Sequence, residues 1–296
     1  MSQALPASGF LNVDKPLGMT SHDVVAAVRR GLRVKKAGHA GTLDPLASGV
    51  LVVCVGAATR LSEYVMASDK RYRARVCLGV ETETYDAEGA VTAARDASHV
   101  TRALFERALE PLRGEIAQTP PMYSAVKQGG RRLYALARAG QTVERAARPV
   151  RIEALDVVDW APPLVTLEVV CSAGTYIRSL AHDLGVALGT GAHLAALVRL
   201  ASGAFTLEDA VPLDALLADP EWTRRLAAPG AALAGWPVVA LDAEALWRVA
   251  HGQALADAGA AAGRLAQGRA PDGTLAAVLE GDGAGWRPVK VFVQQD

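Results

Sequence analysis

The segment GHAGTLDPLASG, Gly38 to Gly49, constrains this chain more than any other. Three glycines before Val50 and an Asp-Pro pair make it a glycine-punctuated loop, and it feeds directly into the apolar run Val50 to Val55, which reads as a strand.

The surrounding chain reads as short strands and helices in alternation. Gly9 to Asp14 reads as a strand and Pro16-Leu17-Gly18 as a turn. Thr20 with Asp23 three residues on predicts a capping box, opening a helix with Val24, Val25, Val28 and Leu32 on its apolar face. Arg73 to Leu78 alternates as a half-buried strand, and Thr82 to Gly89 reads as a polar turn. Leu104, Phe105, Ala108, Leu109 and Leu112 fit one face of a helix over Thr101 to Arg113, stopped by Gly114. Thr119 to Arg148 opens on a double proline and reads as a basic insertion with one short helix, Arg132 to Ala139. Val165 to Cys171 reads as a strand, followed by a turn at Gly174 and a helix with Ile177, Leu180, Leu184 and Leu188 inward. Tyr176 and Arg178 fall at that junction. Ala-rich helical segments run from Leu213 to about Gly235, and short β-like pieces (PVVAL, LAAVLE, PVKVFV) follow. A boundary near Gly235 is therefore expected.

Length and composition exclude several classes. A chain of 296 residues suits two domains, since domains usually run to about 100–200 residues. Met1 to Phe10 has no signal-peptide pattern, and no run approaches the roughly 18 apolar residues of a membrane span, so a cytoplasmic protein with no membrane partner is expected. Cys54, Cys77 and Cys171 lie in β-like stretches at spacings that fit neither zinc nor a redox pair, and read as inert core thiols. The six histidines are scattered without an HExxH pair, so no metal site is expected. The net charge is zero, but Lys15 to Arg75 holds 11 Lys/Arg against 4 Asp/Glu, and Arg113 to Arg151 holds 8 against 2. Positive charge concentrated in this way can form one basic face for phosphates, or two ordinary solvated faces.

Familiar catalytic signatures are absent. There is no GxxxxGK[ST], no complete GxGxxG and no GxSxG. Asp44 remains. Taken alone, Asp before Pro is a common helix start, with Asp as cap and Pro at the first helical position.

GHAGTLDPLASGVL resembles the signature of the bacterial tRNA pseudouridine-55 synthase family, the TruB type. The other motifs are LNVDKPLGMTSHDVV, DKRYRAR at Asp69, MYSAVK at Met122, ARPVRI at Ala147, GTYIRSLAHDLG at Gly174 and GAHLAALVRL at Gly191. They follow the family's order and spacing from Leu11 to about Leu200, with Ala40 where Thr is frequent. The C-terminal segment resembles, more weakly, the PUA domain, a small RNA-binding β-barrel.

The resemblance implies an α+β catalytic domain on a mixed, mainly antiparallel sheet over residues 1–235. It also implies a basic RNA-gripping insertion at about residues 115–150 and a PUA-like domain over 236–296. The implied activity is isomerisation of uridine 55 in the tRNA T-loop, with the T-arm as partner, no cofactor, no obligatory protein partner and a monomeric enzyme. Asp44 matches the nucleophile that attacks C6 of the uracil or C1′ of the ribose. Arg178 matches the arginine that pairs with it, and such a partner keeps a sheltered carboxylate ionised. Tyr72 matches the tyrosine that stacks on the target base, a candidate to take the C5 proton. Tyr176 and Leu197 match residues lining the uracil pocket, His39 one placed where the nucleotide leaves its stack, and Lys15 a lysine near the site.

Without the resemblance the same residues read as a strand aromatic (Tyr72), a core aromatic at a turn (Tyr176), a loop histidine (His39), an ordinary helix leucine (Leu197) and phosphate ligands (Lys15, Arg178). Two rival functions stand beside the implied one. One is a non-catalytic RNA-binding or RNA-folding protein on the same scaffold, which would need none of the set Asp44, Tyr72 and Arg178. The other is a guide-RNA-dependent synthase of the dyskerin type, against which the motif layout is bacterial.

Overall fold

The computed structural model describes residues 7–124, 126–141, 143–257 and 259–293. Ala125 and Thr142 of the expected insertion, and residues 1–6, 258 and 294–296, lie outside the described residues. In chain order the strands are β1 (Gly9–Lys15), β2 (Ala37–His39), β3 (Ala47–Val55), β4 (Lys70–Leu78), β5 (Val80–Thr82), β6 (Val91–Ala94) and β7 (Gly114–Gln118). There follow β8 (Lys127–Gln128), β9 (Arg131–Arg132), β10 (Arg148–Ala161), β11 (Leu164–Cys171), β12 (Ala192–Ser202), β13 (Phe205–Thr206) and β14 (Val211–Pro212). The last five are β15 (Val238–Ala240), β16 (Leu255–Ala256), β17 (Leu265–Arg269), β18 (Leu275–Gly281) and β19 (Gly285–Val291). The helices are α1 (Ser21–Gly31), α2 (Ser62–Ala67), α3 (Arg102–Leu109), α4 (Leu133–Arg138), α5 (Ile177–Ala187), α6 (Leu213–Ala218) and α7 (Ala243–Ala250).

The fold is α+β. One ten-stranded sheet runs β14-β1-β3-β12-β4-β11-β10-β7, with β2 beside β3 and β13 beside β12. Its pairings are antiparallel except β1–β14 and β12–β3. A second sheet, β15-β17-β18-β19-β16, holds the C-terminal strands.

The principal core forms where apolar residues of α1, α3 and α5 meet one face of the large sheet. Val24 and Val28 of α1, Phe105 of α3 and Leu180 and Leu184 of α5 are buried against Leu51, Val53, Ala74, Leu167 and Val169. Truncating such a side chain to alanine costs on the order of 2–5 kcal/mol, through lost transfer energy and the cavity left behind. The capping box forms as expected: Thr20 Oγ1 accepts from Asp23 N at 3.1 Å, and the Asp23 carboxylate accepts from Thr20 N at 2.9 Å. The helix near Thr101 is shorter than its apolar pattern, because a 3-10 turn, Glu110–Leu112, takes over at Pro111; Leu104 faces solvent.

The opposite face of β1 and β3 is closed by the C-terminal unit. Phe10, Val50, Val52 and Cys54 share a cluster with Leu233 and Val278. Tyr64 meets the Trp236 ring edge-on at 5.0 Å, and Arg60 donates to the Val291 carbonyl at 2.6 Å. Cys54 and Cys171 are buried, and burial pushes their thiols up to about 12 and about 11. Thiols so placed are protonated and inert.

Two local readings change. GAHLAALVRL, whose Ala/Leu content made Leu197 look helical, is the central strand β12, flanked by β3 and β4. In the middle of a sheet, pairing on both edges overrides a modest helical propensity. Asp44-Pro45 opens no helix: it forms a turn, closed by Ala47 N donating to Asp44 O at 3.0 Å, which leads into β3. The capping account of Asp44 therefore has no helix to cap.

Candidate active site

The loop between β2 and β3 is fastened along its length, which fixes where Asp44 points. Ser21, the first residue of α1, is buried; its hydroxyl accepts from Leu43 N at 2.8 Å and donates to Leu43 O at 3.0 Å. Gly18 N donates to Pro45 O at 2.9 Å, and Ala40 N to Val52 O at 2.9 Å. Gly49 takes a φ of +96°, and a Cβ there would stand 2.3 Å from the Arg199 carbonyl oxygen, so only glycine lets β12 pass this close.

Arg178 enters from the first turn of α5, and its donors bind two carboxylates and two carbonyls. Nη2 lies 3.0 Å from Asp44 Oδ2, and Nη1 lies 3.4 Å from Asp86 Oδ2. Nη2 also donates to Tyr123 O at 2.8 Å and Nη1 to Thr84 O at 3.4 Å. The planar fork suits this shared duty, which a lysine point charge could not reproduce. The two carboxylates differ in access. The Asp86 side chain is 4% exposed and receives Glu88 N at 3.1 Å, whereas the Asp44 side chain is 42% exposed. Asp86 anchors the guanidinium, and Asp44 presents a free edge outward.

The other expected residues gather around this pair to different degrees. Tyr72 of β4 is buried and stands opposite Arg199 of β12; burial raises its phenol, while the Arg199 charge draws it down. Lys15, at the end of β1 and opposite Gly49, is fully buried, with Nζ donating to Pro16 O at 2.8 Å and Met19 O at 2.7 Å. Burial lowers its ammonium, and Asp44 is the strongest opposing charge. A lysine so buried, its ammonium held by two backbone carbonyls, is closed to a phosphate in solvent. Tyr176 is the cap residue of α5; its N donates to Gln118 Oε1 at 2.7 Å and its O accepts from Gln118 Nε2 at 3.1 Å. Burial raises its phenol too, and Asp44 is among the charges acting on it. Leu197 is buried on β12, opposite Ala74 of β4 and Ala47 of β3. His39 ends β2 and meets His22 of α1 edge-on at 5.0 Å. Burial lowers its imidazole, with His22 and Arg199 adding to the effect. Arg199 acts on His39 and Lys15 alike, but neither Asp44 nor Arg178 is among the charges acting on His39.

Two residues of this cluster did not stand out in the sequence. Asp86 belongs to a stretch that reads only as a polar turn. Arg199 is a lone arginine in the apolar run LVRL, an interruption that is itself a signal, since a charge inside a central strand must find internal partners.

Residues 29–177 match the model of the TruB family pseudouridylate synthase N-terminal domain, and residues 178–230 that of the tRNA pseudouridylate synthase B C-terminal domain. The chain belongs to the TruB family of pseudouridylate synthases. It is therefore a pseudouridine synthase, an isomerase. It is 54% identical over 254 residues to the tRNA pseudouridine synthase B of Symbiobacterium thermophilum, covering 85% of this chain and 84% of that one. With the enzyme of the same name from Burkholderia pseudomallei it shares 52% over 249 residues, covering 83% and 82%. Among solved structures it resembles a chain of a Cbf5-Nop10-Gar1 complex, with a TM-score of 0.77, 30% identity, and 97% and 85% of the two chains covered. An H/ACA RNP bound to a substrate RNA containing 2'-deoxyuridine gives a TM-score of 0.75 at 26% identity, covering 99% and 92%. Among the described residues no helix is long and apolar enough to cross a membrane.

Proposed function

We propose that this synthase converts uridine 55 in the T-loop of tRNA to pseudouridine, with Asp44 as nucleophile on a flipped-out nucleotide. The observation that carries the reading is the asymmetry of the carboxylates on Arg178. Asp86 is buried and anchored, and Asp44 is oriented by the same guanidinium yet open to an incoming group. A pure RNA binder has no use for an outward carboxylate on a surface that must meet phosphates.

In the reaction an Asp44 oxygen adds to C6 of the uracil or to C1′ of the ribose, and the N1–C1′ bond breaks. The base turns, C5 bonds to C1′, the bond from the Asp44 oxygen to C6 or C1′ breaks and returns the carboxylate, C5 loses its proton, and N1 ends protonated. A carboxylate suits the task because it must attack and later leave. Tyr72 stacks on the base and handles the C5 proton, Tyr176 and Leu197 line the uracil pocket, and Lys15 adds positive charge behind Asp44. His39 holds the place that the flipped nucleotide leaves. Atoms and electrons balance within the uridine, so protein and RNA suffice and no cofactor or metal is required. The chain divides at residues 235 and 236 into a catalytic unit and a PUA-like RNA-binding unit, and acts in the cytoplasm as a monomer without a protein partner.

Purified protein mixed with a tRNA transcript tritiated at C5 of uridine is expected to release tritium at an unchanged rate in EDTA, once the RNA is folded with monovalent salt. Loss in EDTA that only zinc restores would contradict the mechanism.

Phosphate contacts are assigned to the basic insertion and the strand after it. Arg131 and Arg148 are exposed, and the Arg148 charge acts on the Tyr176 phenol. Arg131→Glu with Arg148→Glu is expected to weaken tRNA binding and lower the slope of log affinity against log salt by about 1.4–1.8, since each lost phosphate contact removes about 0.7–0.9. Single-turnover chemistry at saturation stays within a few-fold. An unchanged slope, measured by filter binding across salt, would show that neither side chain touches the backbone.

A further inference from the structure

We infer that Arg199 is a positioning residue that ties the Asp44 loop to Tyr72, so that the nucleophile and the stacking ring keep one spacing; this rests on the roles proposed for those two residues. Arg199 is 1% exposed and heads the fully buried side chains by volume. Burying a guanidinium is costly, yet among the described residues Arg199 makes no ion pair that would offset the cost. Its donors go to backbone carbonyls instead: Nε to Val50 O at 2.6 Å, Nη1 to Thr42 O at 3.3 Å and Nη2 to Gly41 O at 3.3 Å. Gly41 and Thr42 lead directly to Leu43 and Asp44, and Val50 belongs to the strand on the far side of the loop. The guanidinium thus spans the base of the loop from inside.

The backbone of Arg199 acts on the same loop. It stands in register with Gly49 of β3, the glycine whose missing Cβ admits it, and with Tyr72 of β4 on the other side. That register puts the Arg199 and Tyr72 side chains on the same face of the sheet, and the Arg199 charge draws the Tyr72 phenol down. One residue therefore touches both ends of the loop that carries Asp44 and the tyrosine on the neighbouring strand. A leucine at this place would fill the volume and leave the Gly41 and Thr42 carbonyls without these bonds. Misplacing a reacting group by about 1 Å costs on the order of a hundredfold in rate, which is the scale of effect this tie protects.

The test compares Arg199→Met, which keeps length and burial without donors, and Arg199→Lys, which keeps the charge on a single head. Both are made alone and combined with Tyr72→Phe. Both single variants are expected to bind tRNA with Kd within about threefold of the parent. Single-turnover rate at saturation is expected to fall about a hundredfold in Arg199→Met, with partial recovery in Arg199→Lys. The doubles are expected to lose little beyond the larger single effect, because the tie to Tyr72 is already broken. A parental rate in Arg199→Met, losses that multiply in the doubles, or failure of both single variants to fold would each overturn the proposal, since Arg199 would then serve the core alone. Activity surviving in Asp44→Asn would instead overturn the reading of the nucleophile, so the two failures are distinguishable.

Discussion

Asp44→Asn is expected to give a folded protein that binds tRNA normally and forms no detectable pseudouridine. Asparagine keeps the size of the side chain and one carbonyl oxygen toward Arg178, but it has no nucleophilic carboxylate. Asp44 caps no helix, and Ala47 N donates to its backbone oxygen, which the substitution leaves in place. Arg178 keeps Asp86 and the carbonyls of Tyr123 and Thr84 as partners, so its buried charge is not orphaned. Glu88 is a further acid of the cluster, its carboxyl raised by partial burial first and then by Asp86 and Asp44; among the described residues it makes no ion pair with Arg178 of the kind that orients Asp44. Paired measurements of tRNA affinity and of tritium release from C5 decide the matter. Release above about a hundredth of the parental rate, the low end of what one catalytic group contributes, would remove Asp44 from the nucleophile's role. Asp44→Ala alongside shows whether the polar contact to Arg178 matters for folding.

Tyr72→Phe is expected to lower turnover by about 10²–10⁴-fold, the usual range for a group that moves a proton in the transition state, with tRNA affinity nearly intact. The ring is buried on β4 and stays able to stack, so the change isolates the hydroxyl. Burial holds that hydroxyl protonated, and the Arg199 charge opposes the burial. A turnover number equal to that of the parent, measured at saturating tRNA, would take Tyr72 out of proton transfer and leave it as a stacking surface only.

Much of the site was legible because its members lie in motifs whose order is itself informative. Asp44, Tyr72 and Arg178 come from three separate motifs, and the ion pair of Asp44 with Arg178 follows the pairing that the resemblance implied. Asp86 was not legible, because a short acidic stretch between strands reads the same whether its carboxylate faces water or a buried guanidinium. Only the fold shows that Thr84 and Asp86 are turned toward α5. Arg199 was hidden for a related reason. Its strand is rich in Ala and Leu, so local composition suggests a helix, and the partners that make it a strand lie more than a hundred residues earlier, in β3 and β4. The Asp-Pro pair shows the opposite error: a sequence that often starts a helix makes a turn here, because Ser21 and Gly18 hold Leu43 and Pro45 from outside the loop.

The C-terminal strands were visible as short β-like pieces, but their packing was not. The cluster joining Phe10, Val50 and Val52 to Leu233 and Val278 places the second sheet against the back of β1 and β3. The face of the large sheet that carries Tyr72 belongs to the other core. Strand β3, which follows the Asp44 loop, is therefore backed by residues of the C-terminal segment.

The measurement that bears most directly on the whole account is position mapping. Purified protein alone is incubated with an unmodified elongator tRNA transcript, and pseudouridine is located by carbodiimide modification and primer extension. The account predicts one new stop, reporting uridine 55 and approaching one pseudouridine per tRNA. No conversion by the protein alone, or conversion confined to another uridine, would contradict it.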